Sequence, residues 1–240
     1  MKRSDQVPSR ARKRLRELLK DLPAPESAEE ALLSVLVSLS DEHAPTAVND
    51  PLQGVDVHIA DSLVGLKVPE LRDARRIADL GSGCGIPSLV LAACLPDATL
   101  LAVDANRKRC EFIQEAAKAA EISNIETVWS RAEEWNDGAG TIDVVIARAV
   151  AQLPVILEYA ATLLRDGGMV VAWKANLEPA EADAGAFAAE ALGLSAPELL
   201  PVNPWPKGGR RNLVLSRKIS PTPDRFPRRA GIAVKRPLGL

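Results

Sequence analysis

The stretch Ile77-Ala-Asp-Leu-Gly-Ser-Gly-Cys-Gly-Ile86 joins a short apolar run to three alternating glycines. The run from Arg76 to Leu80 predicts a buried strand, and the residues that follow the glycines have helical spacing. Glycine adopts positive φ at low cost, so Gly81, Gly83 and Gly85 permit a tight turn that a ligand can approach closely. Such a ligand would lie at the carboxyl end of the strand, where open α/β sheets bind cofactors.

Further apolar runs follow along the chain, and helical patterns separate most of them. These strand candidates are Thr99–Asp104, Ile125–Trp129, Ile142–Ala147, Met169–Lys174, Pro197–Val202 and Arg211–Arg217. Alternating strands and helices form right-handed units on a parallel sheet. The last two runs have no helix between them, so we expect an antiparallel hairpin at one edge. The sequence therefore predicts a seven-stranded, mostly parallel sheet preceded by N-terminal helices.

The net charge of −2 conceals an uneven distribution. Residues 1–20 hold eight Lys and Arg against two acids, and residues 205–240 hold ten against one, so the acidic body has two basic ends. Basic ends suggest a polyanionic partner such as RNA, DNA or an anionic membrane surface, although solvated tails fit the charge equally well. We divide the chain into an N-terminal helical segment (1–66), a central domain with the glycine turn and the sheet (67–220) and a basic C-terminal tail (221–240).

Several classes of protein are disfavoured. The longest apolar run is far shorter than the ~20 residues of a membrane helix, and the basic N-terminus lacks the apolar region of a secretory signal. Cys84, Cys94 and Cys110 have no metal-ligand spacing, which argues against a zinc site and a disulfide framework. We expect a cytosolic protein.

The glycine turn distinguishes between two kinds of cofactor. Dinucleotide-binding turns follow G-x-G-x-x-G, and here the third glycine comes one residue early. The pattern from Asp79 to Gly85 is similar to that of S-adenosylmethionine-dependent methyltransferases. Asp104 ends the second strand, where a carboxylate can accept hydrogen bonds from ribose hydroxyls. Capping of the next helix is the alternative role for Asp104.

Other candidate residues follow strands three to five. In the methyltransferase fold, Ala132 and Glu133 would flank adenine, and helix capping is an equal alternative. Arg148 and Lys174 end strands four and five, and an arginine fork suits phosphate or a base edge. They are the candidate catalytic pair. The fourth strand lacks both the Asn/Asp-Pro-Pro-aromatic pattern of amine methylation and a neighbouring cysteine nucleophile.

Taken in order, these motifs resemble the glucose-inhibited division protein B family, bacterial methyltransferases that modify guanine N7 of 16S ribosomal RNA. The resemblance covers about residue 35 to the end. It is carried by His58–Leu63, Ala78–Pro87, Asp104 with Lys108-Arg109, Ser130–Glu134, Ala147–Leu153, Ala172–Lys174 and Arg225–Leu238.

This resemblance implies a Rossmann-like class I methyltransferase fold with S-adenosyl-L-methionine as cofactor. The implied cofactor-binding residues are Asp79, Gly81, Gly83, Gly85, Ile86, Pro87, Asp104, Ala132, Glu133 and Arg148. The implied contacts to RNA or the target guanine are His58, Arg131, Lys174, Arg210 and Arg211, with Arg148 available to phosphate or guanine O6. For His58, a structural hydrogen bond that ties the N-terminal helices to the sheet is an equal alternative.

The resemblance also implies a partner, 16S rRNA or the small ribosomal subunit, and no metal. We expect a monomer with no membrane attachment. We further expect that deleting residues 221–240 weakens substrate binding without unfolding the domain. Two other functions remain open: a methyltransferase of a small molecule or protein, and a non-catalytic RNA-binding protein with this fold.

Overall fold

A computed structural model describes residues 3–206, 208 and 211–240. Its centre is a seven-stranded sheet in the order β3-β2-β1-β4-β5-β7-β6. The strands are β1 Arg76–Leu80, β2 Thr99–Asp104, β3 Ile125–Trp129, β4 Ile142–Arg148, β5 Leu164–Lys174, β6 Glu198–Val202 and β7 Arg211–Arg217. Strands β1 to β5 pair in parallel, and β7 is antiparallel to both β5 and β6. The predicted sheet and its antiparallel edge are confirmed.

Ten α-helices flank the sheet in the described part of the chain. They are α1 Ser9–Leu19, α2 Ala28–Leu39, α3 Pro51–Gly54, α4 Asp61–Leu63, α5 Pro69–Asp73, α6 Ser88–Cys94, α7 Arg107–Ala119, α8 Leu153–Leu163, α9 Pro179–Leu192 and α10 Ile232–Lys235. A π-helical turn, Val55–Ala60, joins α3 to α4, and a 3₁₀ turn, Val64–Lys67, follows α4. Shorter 3₁₀ turns span Arg3–Gln6, Ala132–Glu134 and Asn136–Gly138.

Two elements begin earlier than the sequence predicts. The stretch from Asp41 to Gln53 is rich in Pro, Asn and Asp and predicts a loop, but α3 begins inside it, because Asp50 accepts a hydrogen bond from the Gln53 amide (2.8 Å) and Pro51 occupies the first helical position. A turn is predicted at residues 166–168, whereas β5 begins at Leu164 and includes them. Pairing with β4 is irregular there, with a register shift between Ile142 and Val144.

Two apolar layers cover the two faces of the sheet. One layer contains α1, α2, α6 and α7, and its fully buried side chains include Leu15, Leu32 and Leu89. The other contains α8, α9 and the C-terminal residues. Since Leu15 and Leu32 share a core with the strands, the N-terminal segment packs as part of the same body. The division at residues 66 and 220 remains our proposal.

The C-terminal residues do not form the separable tail expected from their charge. Phe226 and Ala233 are buried in the layer of α8 and α9. Arg228 pairs with Glu158, whose side chain is 1% exposed. Removing the partner of a buried charge costs about 3–5 kcal/mol. These contacts argue against the expectation that residues 221–240 can be deleted without harm to the domain, and we expect the deletion to lower its stability.

Candidate active site

The glycine turn connects β1 to α6 at the carboxyl end of the sheet. Gly81, Gly83 and Gly85 have φ of +65°, +58° and +80°, values that favour glycine. Their surroundings differ. A Cβ on Gly85 would meet Leu89 Cδ1 at 2.6 Å, so Gly85 permits close packing of helix on strand. A Cβ on Gly83 would meet only the Gly81 carbonyl, at 3.8 Å, so the space above Gly83 is open to a ligand.

A cavity of about 570 Å³ opens beside this turn. Its walls come from the glycine turn, the helical run around α4, and the ends of β4 and β5. Six of the predicted site residues line it: Gly81, Gly83, Ile86, Arg148, Lys174 and Arg211. The other described candidates do not line it: His58, Asp79, Gly85, Pro87, Asp104, Arg131, Ala132 and Glu133. The prediction for Arg210 lies outside the described residues.

Asp79 is a buried acid at the end of β1. Its side chain is 1% exposed, and its Oδ2 atom has no hydrogen-bond partner among the described residues. Burial raises the pKa of Asp79 to about 7, and a hydrogen bond with Ser88 and the charge of Arg148 oppose the rise. A carboxylate in this position would be stabilised by a cationic ligand.

Asp104 joins the turn to the end of β2. One carboxylate oxygen accepts the Gly83 amide at 2.9 Å, and the other accepts the Asn106 amide at 2.8 Å. Arg109, which lines the cavity, is 3.5 Å from the first oxygen. The helix cap of α7 is Asn106, whose side chain accepts the Lys108 amide, so capping is not the role of Asp104. Each of its oxygens retains a lone pair that can accept from a hydroxyl.

Asp61 connects two arginines of the cavity wall, Arg148 and Arg211, and is not among the candidates predicted from the sequence. Its Oδ2 atom accepts from Arg148 at 2.9 Å, and its Oδ1 atom lies 3.5 Å from Arg211 Nε. Its carbonyl accepts the Trp173 indole N–H at 2.7 Å, and Arg148 also donates to the Val57 carbonyl at 3.1 Å. Asp61 lies in the motif His58-Ile-Ala-Asp61-Ser62, which could have indicated it, but a role is predicted from the sequence only for His58 of this motif.

Lys174 is held at the cavity wall by two acceptors. Its ammonium donates to Glu181 at 2.6 Å and to the Ala151 carbonyl at 2.8 Å. The same Glu181 oxygen accepts the Leu153 amide at 2.7 Å. These contacts fix the loop between β4 and α8, so they favour a positioning role for Lys174.

His58 is buried away from the cavity lining. Its Nε2 atom is 3.0 Å from the Val48 carbonyl and 3.3 Å from the Thr46 hydroxyl. Because a carbonyl only accepts, Nε2 carries the proton, and Nδ1 is left without a partner among the described residues. Burial lowers the pKa of His58, which favours the neutral ring. These bonds support a structural role for His58. They fix the loop before α3, whereas the bond expected from the sequence joins the N-terminal helices to the sheet.

The loop after β3 is exposed at Arg131, which lies 3.9 Å from Glu134. Ala132 begins a 3₁₀ turn, and the Glu133 side chain accepts from the Tyr159 hydroxyl and the Gly231 amide. The contacts of these residues to adenine and RNA remain predictions.

Within the described residues, no group of three or more His, Cys, Asp or Glu is placed to hold a metal ion, and no helix has the length and apolarity needed to cross a membrane.

Comparison with known proteins relates the chain to one family. A family model described as rRNA small subunit methyltransferase G (GidB) matches residues 27–200. Ribosomal RNA small subunit methyltransferase G of Deinococcus radiodurans is 37% identical over 219 residues, covering 90% of this chain and 87% of the relative.

Solved structures show the same fold at low identity. A predicted O-methyltransferase, protein Atu636 from Agrobacterium tumefaciens, matches with a TM-score of 0.52 and 22% identity. The match covers 68% of this chain and 80% of the Atu636 chain. M. jannaschii TYW2 in complex with AdoMet has a TM-score of 0.50 and 16% identity, with coverage of 65% and 74%. The match of the family model over most of the chain, together with the glycine turn and its cavity, shows that this protein belongs to the rRNA small subunit methyltransferase G family.

Proposed function

We propose that this chain transfers a methyl group from S-adenosylmethionine to guanine N7 of 16S rRNA in the small ribosomal subunit. The observation that carries the proposal is one cavity bounded by the glycine turn on one side and by Arg148 and Arg211 on the other. Family membership and the enzyme fold supply the reaction class. The arginines supply a place for the phosphate or base of an RNA substrate.

The glycine turn fits the cofactor on two observations. The open space above Gly83 allows the backbone to approach a ligand, and the unpartnered oxygen of Asp79 calls for a cationic group, which S-adenosylmethionine carries. Asp104 would accept from the ribose hydroxyls, and Ala132 and Glu133 would flank the adenine. Gly81, Gly85, Ile86 and Pro87 complete the proposed cofactor site. When bound, the cofactor supplies an electrophilic methyl group.

Guanine N7 suits a site without a general base. Its lone pair lies in the ring plane, and N7 has no proton to lose before it reacts. The residues of this chain then need to orient the base and exclude water, and orientation alone can lower a barrier by about 7–11 kcal/mol. Arg148 would hold phosphate or guanine O6, because a cation close to N7 would oppose the positive charge of the product.

Asp61 offsets the charge of these cations. Its carboxylate pairs with Arg148 and faces Arg211, so two arginines at the substrate wall share one acid. The remaining positive charge can bind a phosphate, while the acid limits repulsion of the cationic product. We propose Lys174 and His58 as positioning residues, and Arg131 and Arg211 as contacts to the RNA.

The test uses small subunits from a strain that lacks this gene. The purified full-length chain and S-adenosylmethionine are added, and N7-methylguanosine in 16S rRNA is mapped by borohydride–aniline cleavage. We expect one new cleavage position that depends on both additions. Methyl transfer to protein or small metabolites alone would support the first alternative function. Failure to bind S-adenosylmethionine in calorimetry would leave only the RNA-binding alternative.

The purified chain also tests the assembly state. We propose that the enzyme acts as a monomer in the cytoplasm, where small subunits are made. Light scattering of the purified chain should give the mass of one 25.6 kDa chain. A dimer mass would contradict this.

A further inference from the structure

The C-terminal residues lie against α8 and α9, on the face of the sheet opposite the N-terminal helices. The Thr222 hydroxyl is 2.9 Å from the Leu192 carbonyl and 3.2 Å from the Ala161 carbonyl. Phe226 and Ala233 then enter the apolar layer. This segment, from Thr222 to Ala233, is attached at several points and reaches the loop after β3.

An ion pair with a buried acid fixes the middle of the segment. The Arg228 side chain donates to both oxygens of Glu158, with Nε at 2.9 Å and 3.0 Å, and its backbone amide donates to Oε1 at 3.2 Å. Glu158 is 1% exposed and the Arg228 side chain 23%, so the acid is shielded from water while the arginine is partly accessible. A hydrogen bond with Glu158 raises the pKa of Arg228 above its usual value, and the guanidinium therefore stays charged.

Three residues further on, the segment contacts the loop after β3. The Gly231 amide donates to Glu133 Oε1 at 3.0 Å, and the Tyr159 hydroxyl lies 3.4 Å from the same oxygen. Tyr159 adjoins Glu158 on α8, so one turn of this helix holds both the segment and the loop. Gly231 has φ of +78°, a conformation that places its amide here and favours glycine. Burial raises the pKa of Tyr159 to about 12, and the nearby charge of Glu133 adds to this rise.

We infer that the C-terminal segment positions the adenine side of the cofactor site, acting from Arg228 through Gly231 to Glu133. The inference rests on the proposed function, in which Ala132 and Glu133 flank adenine. Arg228 is a positioning residue, since it contacts Glu158 and does not line the cavity. At least one basic residue of the segment, Arg228, is therefore paired with an acid of the same protein.

The test measures S-adenosylmethionine binding by calorimetry in the full-length chain. Arg228→Ala should weaken binding about tenfold, the factor expected from about 1.4 kcal/mol of lost interaction. The matched control is Arg236→Ala, because Arg236 is an exposed arginine of the same region. This variant should bind S-adenosylmethionine as tightly as the wild type does. The rate at saturating cofactor should change little in both variants, so the effect appears in KM.

A double-mutant cycle separates positioning from general loss of stability. If Arg228 acts through Glu133, the variant with both Arg228→Ala and Glu133→Ala should bind the cofactor no worse than Glu133→Ala alone. Additive losses would overturn the inference, as would a lowered melting temperature with unchanged cofactor affinity.

Two further measurements cover the remaining outcomes. Because Arg228→Ala leaves Glu158 without a partner and can prevent folding, Gly231→Ala is the second variant. Its Cβ would meet no atom within 4 Å, but positive φ disfavours alanine, so the amide that donates to Glu133 should shift without loss of fold. Cofactor binding should weaken about twofold to threefold, the loss expected from one weakened hydrogen bond, and unchanged binding would count against the inference. Failure of the wild type to bind S-adenosylmethionine would instead contradict the proposed function.

Discussion

Asp61 and Arg148 are 87 residues apart in the chain, yet their side chains meet at 2.9 Å across the mouth of the cavity. The pair joins the N-terminal helical run to the end of β4. It holds the arginine that we assign to the substrate at a fixed distance from the glycine turn. Removal of either partner should therefore affect the RNA more than the cofactor.

The first prediction concerns this pair. Arg148→Ala and Asp61→Asn should each lower methylation of small subunits by at least about tenfold, because misplacement of a substrate by about 1 Å can cost a hundredfold. Affinity for S-adenosylmethionine, measured by calorimetry, should stay near the wild-type value. Asp56→Asn is the matched control, since Asp56 pairs with Arg14 at 3.1 Å outside the cavity lining. A collapse of cofactor affinity in Arg148→Ala would refute the assigned role.

The second prediction concerns the pH dependence of cofactor binding. With a pKa of about 7 in the free protein, Asp79 becomes protonated as the pH falls through neutrality and loses its attraction for a cation. Affinity for S-adenosylmethionine should therefore decrease from pH 8 to pH 6, with release of a proton on binding near pH 7. Asp79→Asn should bind weakly at every pH. An equally steep pH profile in that variant would assign the titration to another group.

Ionisation of Asp79 should favour cofactor binding, but it destabilises the folded protein. The folded protein holds the Asp79 proton more tightly than the unfolded chain between about pH 4 and pH 7, so the free energy of unfolding falls as pH rises through this window. The fall amounts to about 4 kcal/mol at most. The free energy of unfolding of Asp79→Asn should not fall in this way. In urea denaturation, the stability of this variant relative to the wild type should therefore increase from pH 5 to pH 8. A constant difference between the two proteins would contradict the assignment.

The third prediction separates backbone strain from ligand contact. Gly83→Ala and Gly167→Ala both place a Cβ at positive φ, where about 1–2 kcal/mol of stability is lost, and neither Cβ meets an atom closer than 3.8 Å. Both variants should lower the melting temperature to a similar degree. Only Gly83→Ala should lose cofactor affinity, by more than about tenfold, since its Cβ enters the proposed ligand space. Equal cofactor affinity in the two variants would place the ligand elsewhere.

The fourth prediction concerns Lys174 and Glu181. If Lys174 acts by fixing the loop before α8, then Lys174→Met and Glu181→Gln should slow methylation to a similar extent, and the double variant should be no slower than the worse single one. Glu178→Gln provides an exposed control on the same helix edge. A direct catalytic role for the lysine predicts a different pattern, in which Lys174→Met is far slower than Glu181→Gln.

Local patterns were sufficient to predict the strands and the glycine turn. The bounds of β1, β2, β3 and β7 agree with prediction. Those of β1 and β2 follow from nearly continuous apolar runs, because strands buried on both faces carry few polar residues. Strands β3 and β7 contain polar residues and are less completely buried. The reversed β7 follows from the absence of a helix after β6. These features depend on neighbours in the chain, so a single sequence contains them.

Contacts between distant residues were not predictable in the same way. Nothing near Asp61 specifies a partner 87 residues away, and nothing near Glu158 specifies a partner 70 residues away. The charge of the C-terminal residues gave a misleading indication, since Arg228 faces a buried acid. Charge counts record how many cations a segment has, whereas their partners are set by tertiary packing.

The late position of this arginine has a consequence during synthesis. A chain still being translated contains Glu158 long before Arg228 emerges, and it contains β6 before β7 can pair with it. Until Arg228 and Gly231 have left the ribosome, the acid has no counter-charge and the loop that we assign to adenine lacks one of its two contacts. A nascent copy at that stage would therefore bind its methyl donor more weakly than the folded protein.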